Sequence, residues 1–243
     1  MKFFLAPMQG LTGYTVRNAF HHHFDYIDKY YTPFIPAAKR MNAKIKRDID
    51  PVNNDGITLI PQAMSIVADE VIDLHRQLVP YGYDEINVNL GCPSGTVVSK
   101  KRGSGILAYP DMLDSFLDDL YTKADFPVSI KTRVGFNDDE LWPRLIEIYS
   151  KYPISELTVH PRVQKDFYKN TPRMDDFALA MQKINPDKTI LCYNGDITDI
   201  NSFNALTDCF PDIDEIMIGR GLFANPALIA ELKGISMDKA ELR

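Results

Sequence analysis

The stretch Asn87–Gly95, NVNLGCPSG, ends an apolar run and leaves Cys92 between Gly91 and Pro93, at the point where the run stops. A thiol so placed can act as a nucleophile if a base such as His160 lies beside it, or can fill space as a small buried hydrophobe. Other runs end in equally reactive types. VSIKTR carries Lys131, a fixed cation able to stabilise negative charge on a neighbouring ring, and LTVHPR carries His160 and Arg162. NGDI (Asn194–Ile197) and IGRGLF (Ile218–Phe223) bring small residues whose backbone N–H groups can cradle a phosphate, with Arg220 able to pair with it through two parallel hydrogen bonds.

These residues need a scaffold that gathers the ends of separate strands. Eight strand candidates follow one another: Lys2–Met8, Asp25–Phe34, Ile57–Ala63, Asp84–Leu90, Pro127–Arg133, Ser155–Pro161, Thr189–Gly195 and Asp214–Arg220. Amphipathic stretches lie between them, opened by Thr12, by Pro110 with Asp111, and by Asp138, with Asp69 early in another. About eight strand-then-helix repeats in this length predict a (β/α)8 TIM barrel. A doubly wound sheet fits less well, because APMQGLTG carries Gly10 and Gly13 without the G-x-G-x-x-G spacing. In a barrel, chemistry sits at the C-terminal strand ends. Here these are Pro7, Met8 and Gln9; Pro33; Gln62; Asn87 and Asn89 with Cys92; Lys131 and Arg133; His160 and Arg162; Asn194 and Asp196; Gly219 and Arg220.

Composition excludes several classes. The 243 residues are 45% hydrophobic and 25% charged, without a signal-like apolar run at the start or a span long enough for a bilayer, so a cytoplasmic protein is expected and no membrane partner. Cys92, Cys192 and Cys209 suit neither a disulfide framework nor a CxxC metal site; the latter two read as structural. No metal is expected: His160 and His75, the two histidines able to face the mouth, have no carboxylate at ligand spacing, and His21–His23 reads as a solvated helix end. A net charge of -6 repels nucleic acid in bulk, so an RNA partner requires a local basic patch. The strand-end set itself resembles a flavin pocket. Lys131 would face the electron-rich side of an isoalloxazine ring, Gln62 and His160 would donate to its carbonyls, and the Asn194–Ile197 and Ile218–Phe223 segments would hold a phosphate.

The segments LAPMQGLT, NVNLGCPSG, KKRGSGIL, VSIKTRVGF, LTVHPR, YNGDI and IGRGLFANP, in this order over residues 3–233, resemble the tRNA-dihydrouridine synthases. The resemblance implies an FMN enzyme that takes reducing equivalents from NADPH and reduces the 5,6 double bond of uridine in tRNA. Carried over by position, Pro7 and Met8 would lie against the flavin, and Gln62, Lys131 and His160 would hold its ring. Asn194, Gly195, Asp196, Gly219 and Arg220 would bind the ribityl chain and phosphate. Asn89 would help hold the target uracil, and Cys92 would be the general acid. A thiol with a pKa near 8.5 is mostly protonated at neutral pH and can donate to carbon 5 after hydride reaches carbon 6.

The base must be extruded to reach the pocket. Lys100, Lys101 and Arg102, with Arg133, Arg162 and Lys165 in neighbouring loops, would meet the phosphates. Gly103-Ser104-Gly105 is rejected as a dinucleotide fingerprint because it follows a basic loop and not a strand. Two departures stand out. Relatives continue into a helical tRNA-gripping domain, whereas here residues 1–234 are read as the FMN barrel and 235–243 as a tail, with two expectations open: the start of such a domain cut short, or reduced tRNA binding. The segment HPRVQKDFY places Gln164 where many relatives have a basic residue. Two alternatives stay open: a dihydroorotate- or dihydropyrimidine-type FMN barrel acting on a free pyrimidine, and a non-catalytic flavin- or RNA-binding barrel. A monomer is expected.

Overall fold

A computed structural model describes residues 1–37 and 40–235. Ten parallel strands form one sheet: β1 (Lys2–Leu5), β2 (Lys29–Tyr31), β3 (Ile35–Pro36), β4 (Leu59–Ile60), β5 (Gln62–Met64), β6 (Ile86–Leu90), β7 (Val128–Gly135), β8 (Glu156–Val163), β9 (Ile190–Tyr193) and β10 (Glu215–Ile218). The order β3-β5-β6-β7-β8-β9-β10-β1-β2-β4 closes on itself, because β2 with β3 and β4 with β5 are two interrupted strands lying side by side. The result is an eight-stranded (β/α)8 barrel, as the repeat predicts. The interruptions fall at Pro33 and Pro61, which have no N–H for the ladder. The Thr32 side chain covers the gap by accepting from the Gln62 amide at 2.9 Å.

Period-two alternation sorts the side chains of each strand. Phe3, Leu5, Ile86, Val88, Leu90, Ile130, Leu157, Val159, Ile216 and Ile218 join the large core between barrel and helices. Phe4, Ala6, Tyr31, Ile60, Cys192 and Met217 form a second, small apolar layer inside the barrel. On β6, β7 and β8 the inward positions are polar: Asn87 and Asn89; Ser129, Lys131 and Arg133; Glu156, Thr158, His160 and Arg162. The barrel is therefore plugged by one apolar layer, with polar chemistry above and below it.

Helices Tyr14–His23, Ala68–Leu78, Pro110–Lys123, Trp142–Ser150, Met174–Lys183 and Ile200–Cys209 pack outside. Two expected caps are not used. Thr12 precedes the helix but bonds back to Met8, and Asp48 accepts from the Tyr14 N–H at 2.7 Å in its stead. The stretch at Asp138 is a turn, and its helix starts only at Trp142. Of the proposed tail, residues 236–243 lie outside the described residues. Among the described residues no helix is long and apolar enough to cross a membrane.

Candidate active site

A cavity of about 560 Å³ opens at the C-terminal strand ends. Its wall includes Pro7, Met8, Gln62, Asn89, Cys92, Lys131, His160, Asn194, Gly195, Asp196, Gly219 and Arg220. Every residue assigned to the flavin, and both residues assigned to the uracil and its protonation, thus meet at one mouth. The same wall holds Arg133, expected to meet a phosphate but 1% exposed and bonded to the backbone carbonyls of Gly91, Val163 and Phe167, together with Phe167 and Tyr168, to which the sequence gave no role.

Lys131 is set by β7, whose alternation turns Ser129, Lys131 and Arg133 to the interior. Burial and the neighbouring Arg133 guanidinium lower its pKa to about 7, and no carboxylate acts on it among the described residues. His160, one strand over, is buried and held well below its usual range by desolvation and by Arg133, Lys131, Arg162 and Arg220 around it. The ring is therefore neutral at pH 7. Arg162 contacts its Nε2 at 3.1 Å; a guanidinium only donates, so Nε2 accepts and the proton sits on Nδ1.

Asn89 shapes the loop that carries the thiol. Its Oδ1 accepts from the Gly91 N–H at 3.1 Å and the Cys92 N–H at 2.8 Å, while its Nδ2 donates to Gln62 Oε1 at 2.8 Å. Gln62 Nε2 in turn donates to Asn87 Oδ1 at 2.7 Å. Each of these two amides keeps one N–H beyond that chain of bonds. The Cys92 carbonyl accepts from the Ser104 amide at 3.1 Å and its hydroxyl at 2.9 Å. Gly103 makes that closure possible: it has φ +56°, and a Cβ would lie 2.7 Å from the Cys92 oxygen. The Gly-Ser-Gly run is thus the clamp of the cysteine loop, a role its position just after Cys92 could have signalled. Gly91 fits the expected close approach, since a Cβ there would meet the Thr132 backbone at 3.3 Å. Cys92 is half-buried, and desolvation raises its pKa against the opposing pull of Arg133 and Lys131, so it is a neutral thiol at pH 7.

At the opposite side of the mouth Asp196 is bound by both Arg162 and Arg220, the latter at 2.6 Å, and these arginines hold its carboxyl below the usual range against the cost of burial. Arg220 also lies over the Tyr168 ring, 4.9 Å from its centroid. Among the described residues lining the cavity, Lys131, Arg133 and Arg220 outnumber the single carboxylate Asp196. Such a donor set fits a ligand with a phosphate and a ring that accumulates negative charge, and the flavin expectation passes this test.

Several expected substrate contacts are elsewhere. Arg162 is 1% exposed and serves Asp196, His160 and the Asn170 carbonyl, so it is no surface phosphate ligand. Arg102 is paired with Glu70 at 3.1 Å. Lys100 and Lys101 are exposed outside the cavity, Lys101 lying 4.4 Å from the Tyr109 ring centroid. His75 does not face the mouth; it stacks on Phe126 at 3.4 Å in a separate cavity on the outside of the barrel. Cys192 is buried in the barrel layer, whereas Cys209 is exposed and has no core role.

A closed parallel barrel with a thiol, a lysine lacking a counter-charge and an arginine-bound carboxylate at its mouth is a ligand-binding enzyme scaffold of the (β/α)8 class. Residues 4–242 match the family model described as "Dihydrouridine synthase (Dus)", and the chain belongs to that family. It is 34% identical over 154 residues to a probable tRNA-dihydrouridine synthase of Staphylococcus aureus, covering 62% of this chain and 46% of that protein. It is 26% identical over 243 residues to tRNA-dihydrouridine synthase B of Pasteurella multocida, covering 96% of this chain and 69% of the relative. The chain therefore spans about half the length of the staphylococcal relatives it matches. Among solved structures it is similar in fold to morphinone reductase, with TM-score 0.63, 10% identity and coverage of 99% of this chain and 88% of that one. It is likewise similar to 3-hexulose-6-phosphate synthase from Salmonella typhimurium, with TM-score 0.58, 14% identity and coverage of 97% and 96%.

Proposed function

We propose that this chain binds FMN at the barrel mouth and, with NADPH as reductant, reduces the 5,6 double bond of uridine in tRNA to dihydrouridine. The observation that carries the reading is the meeting of a protonated Cys92 and an unneutralised Lys131 in one cavity of a dihydrouridine synthase family member. Bound FMN, reduced by NADPH, supplies the hydride to carbon 6 of the uracil.

The protein's part is binding, orientation and the proton. Lys131 takes up charge beside the ring when reducing equivalents arrive, and neutral His160 donates through Nδ1–H. The remaining N–H groups of Gln62 and Asn89 serve ring and uracil carbonyls. Pro7 and Met8 cover one face of the cavity, and Asn194, Gly195, Gly219 and Arg220 hold the ribityl chain and phosphate, with Asp196 fixing Arg220. The Cys92 Sγ–H gives its proton to carbon 5; that bond breaks, the C–H bond forms, and Arg133 and Lys131 stabilise the thiolate until solvent restores the proton. Lys100 and Lys101 contact tRNA phosphates from the rim, while Arg162 acts through Asp196 and not on RNA. A cytoplasmic location accords with a tRNA substrate.

The test is an absorption spectrum of the purified chain incubated with FMN, followed by mass analysis of unmodified tRNA treated with it and NADPH. A flavin spectrum and uridines heavier by two hydrogens are expected. A colourless chain that takes up no flavin, or turnover of a free pyrimidine with untouched tRNA, would contradict the proposal.

A further inference from the structure

Two loops at the mouth are joined by two side chains, the buried Arg133 and the half-buried Gln164. Arg133 on β7 is 1% exposed, and each of its three nitrogens donates to a different backbone carbonyl. Nε reaches Gly91 at 3.0 Å, in the loop that carries Cys92. Nη1 reaches Val163 at 2.9 Å and Nη2 reaches Phe167 at 2.8 Å, both in the segment that leads to Tyr168. Its guanidinium also sits 5.4 Å from the Tyr168 ring centroid. A second bond repeats the connection farther along: Gln164 Nε2 donates to the Pro93 carbonyl at 3.0 Å, directly after Cys92.

The receiving loop is held in a conformation it would not choose. Phe167 has φ +51°, one of two non-glycine residues with positive φ among the described residues, and its carbonyl is one of the three Arg133 engages. Side-chain residues adopt that region only when their surroundings impose it. The β7–β8 ladder shifts register between Arg133 and Gly135, which re-aims Arg133 relative to its neighbours.

We infer that Arg133 and Gln164 are positioning residues that couple the Cys92 loop to the Phe167–Tyr168 loop, so that the thiol and the aromatic rim of the mouth are set by one shared framework. The inference rests on the reading of this cavity as the place where Cys92 acts. Its consequence is that a change at Gln164, which follows a different strand from the one before the cysteine, alters the access and reactivity of Cys92.

The test uses the full chain with Cys209→Ser as background, so that Cys92 is the accessible thiol. Cys92 alkylation by iodoacetamide is timed across pH, and amide hydrogen exchange is followed in residues 91–94 and 164–169. Gln164→Glu keeps the side-chain length and replaces the donor by an acceptor; it is expected to speed alkylation about fivefold, the factor one net hydrogen bond controls, and to raise exchange in both loops. Gln164→Arg keeps an N–H donor and is expected to retain the parent rate and exchange. Arg133→Lys should release both loops together, and because it can fail to fold, the Gln164 pair decides alone. An unchanged alkylation rate in Gln164→Glu, exchange rising in the 164–169 loop only, or equal effects of Glu and Arg would overturn the coupling. None of these readouts needs flavin or tRNA, so a failure of the coupling and a failure to reduce tRNA are separable.

Discussion

Two lysines project into the barrel, and their surroundings give them opposite properties. Lys29, below the apolar layer, lies 2.7 Å from Glu156, which also accepts from Tyr31 at 2.7 Å and Thr158 at 2.8 Å. Burial alone would lower the Lys29 pKa, but Glu156, aided by Glu85 and Glu215, outweighs it and the pKa rises. Lys131, above the layer, is half-buried at the cavity without such a partner, and desolvation and Arg133 lower its pKa to about 7. The lower lysine is neutralised within the fold and holds it together; the upper one lines the cavity with no carboxylate against it among the described residues. Saturated polar groups mark structure, and unsaturated ones at a concave mouth mark function.

The sharpest break of this comparison comes from the thiol that shares the upper cavity. Cys92→Ala should lower dihydrouridine formation by about 10²–10⁴-fold, the range of a lost general acid, while flavin reduction by NADPH continues; mass analysis of tRNA and stopped-flow absorbance check the two halves. At the barrel bottom, Lys29→Met should cost about 3 kcal/mol of stability by leaving Glu156 buried without its cation, read by chemical denaturation, with FMN affinity retained. Lys131→Met should do the reverse, leaving stability intact or improved and slowing flavin reduction about tenfold, the worth of one charge-assisted contact.

A proton count sharpens the upper half further. At pH 8, above the value near 7, free Lys131 is mostly neutral. Binding of reduced FMN should raise its pKa and take up a fraction of a proton, which calorimetry in buffers of different ionisation enthalpy measures. The uptake should fade below pH 6, where the lysine is already charged, and vanish in Lys131→Met. The smallest effect belongs to the rim: Lys101→Ala should weaken tRNA binding modestly and reduce the slope of log affinity against log salt by about one.

Much of the barrel was legible because its signal is local. Each expected strand has its counterpart, and the strand-end rule gathered Lys131, His160 and Cys92 from segments far apart in the chain. Partnering was not legible. Arg162 reads like Arg220 in sequence, yet one is buried behind Asp196 and the other faces the cavity; the pairing spans 34 residues and has no local pattern. Arg102 likewise found Glu70 across 32 residues. The inward series Glu156, Thr158, His160 and Arg162 was open to period-two reading, which would have shown that β8 turns a polar face to the barrel interior throughout. The positive φ of Phe167 gave no signal, since the Arg133 bond to its carbonyl comes from a strand 34 residues away in sequence.

The most direct measurement is a ¹³C NMR titration of the lysine side chains in the free protein, with Lys131→Met and Lys29→Met as assignments. One lysine resonance, absent in Lys131→Met, should titrate near pH 7 and move upward when reduced FMN is added, while that of Lys29 stays charged throughout. Titration of Lys131 at the ordinary lysine value of about 10.4, unmoved by the flavin, would contradict the account.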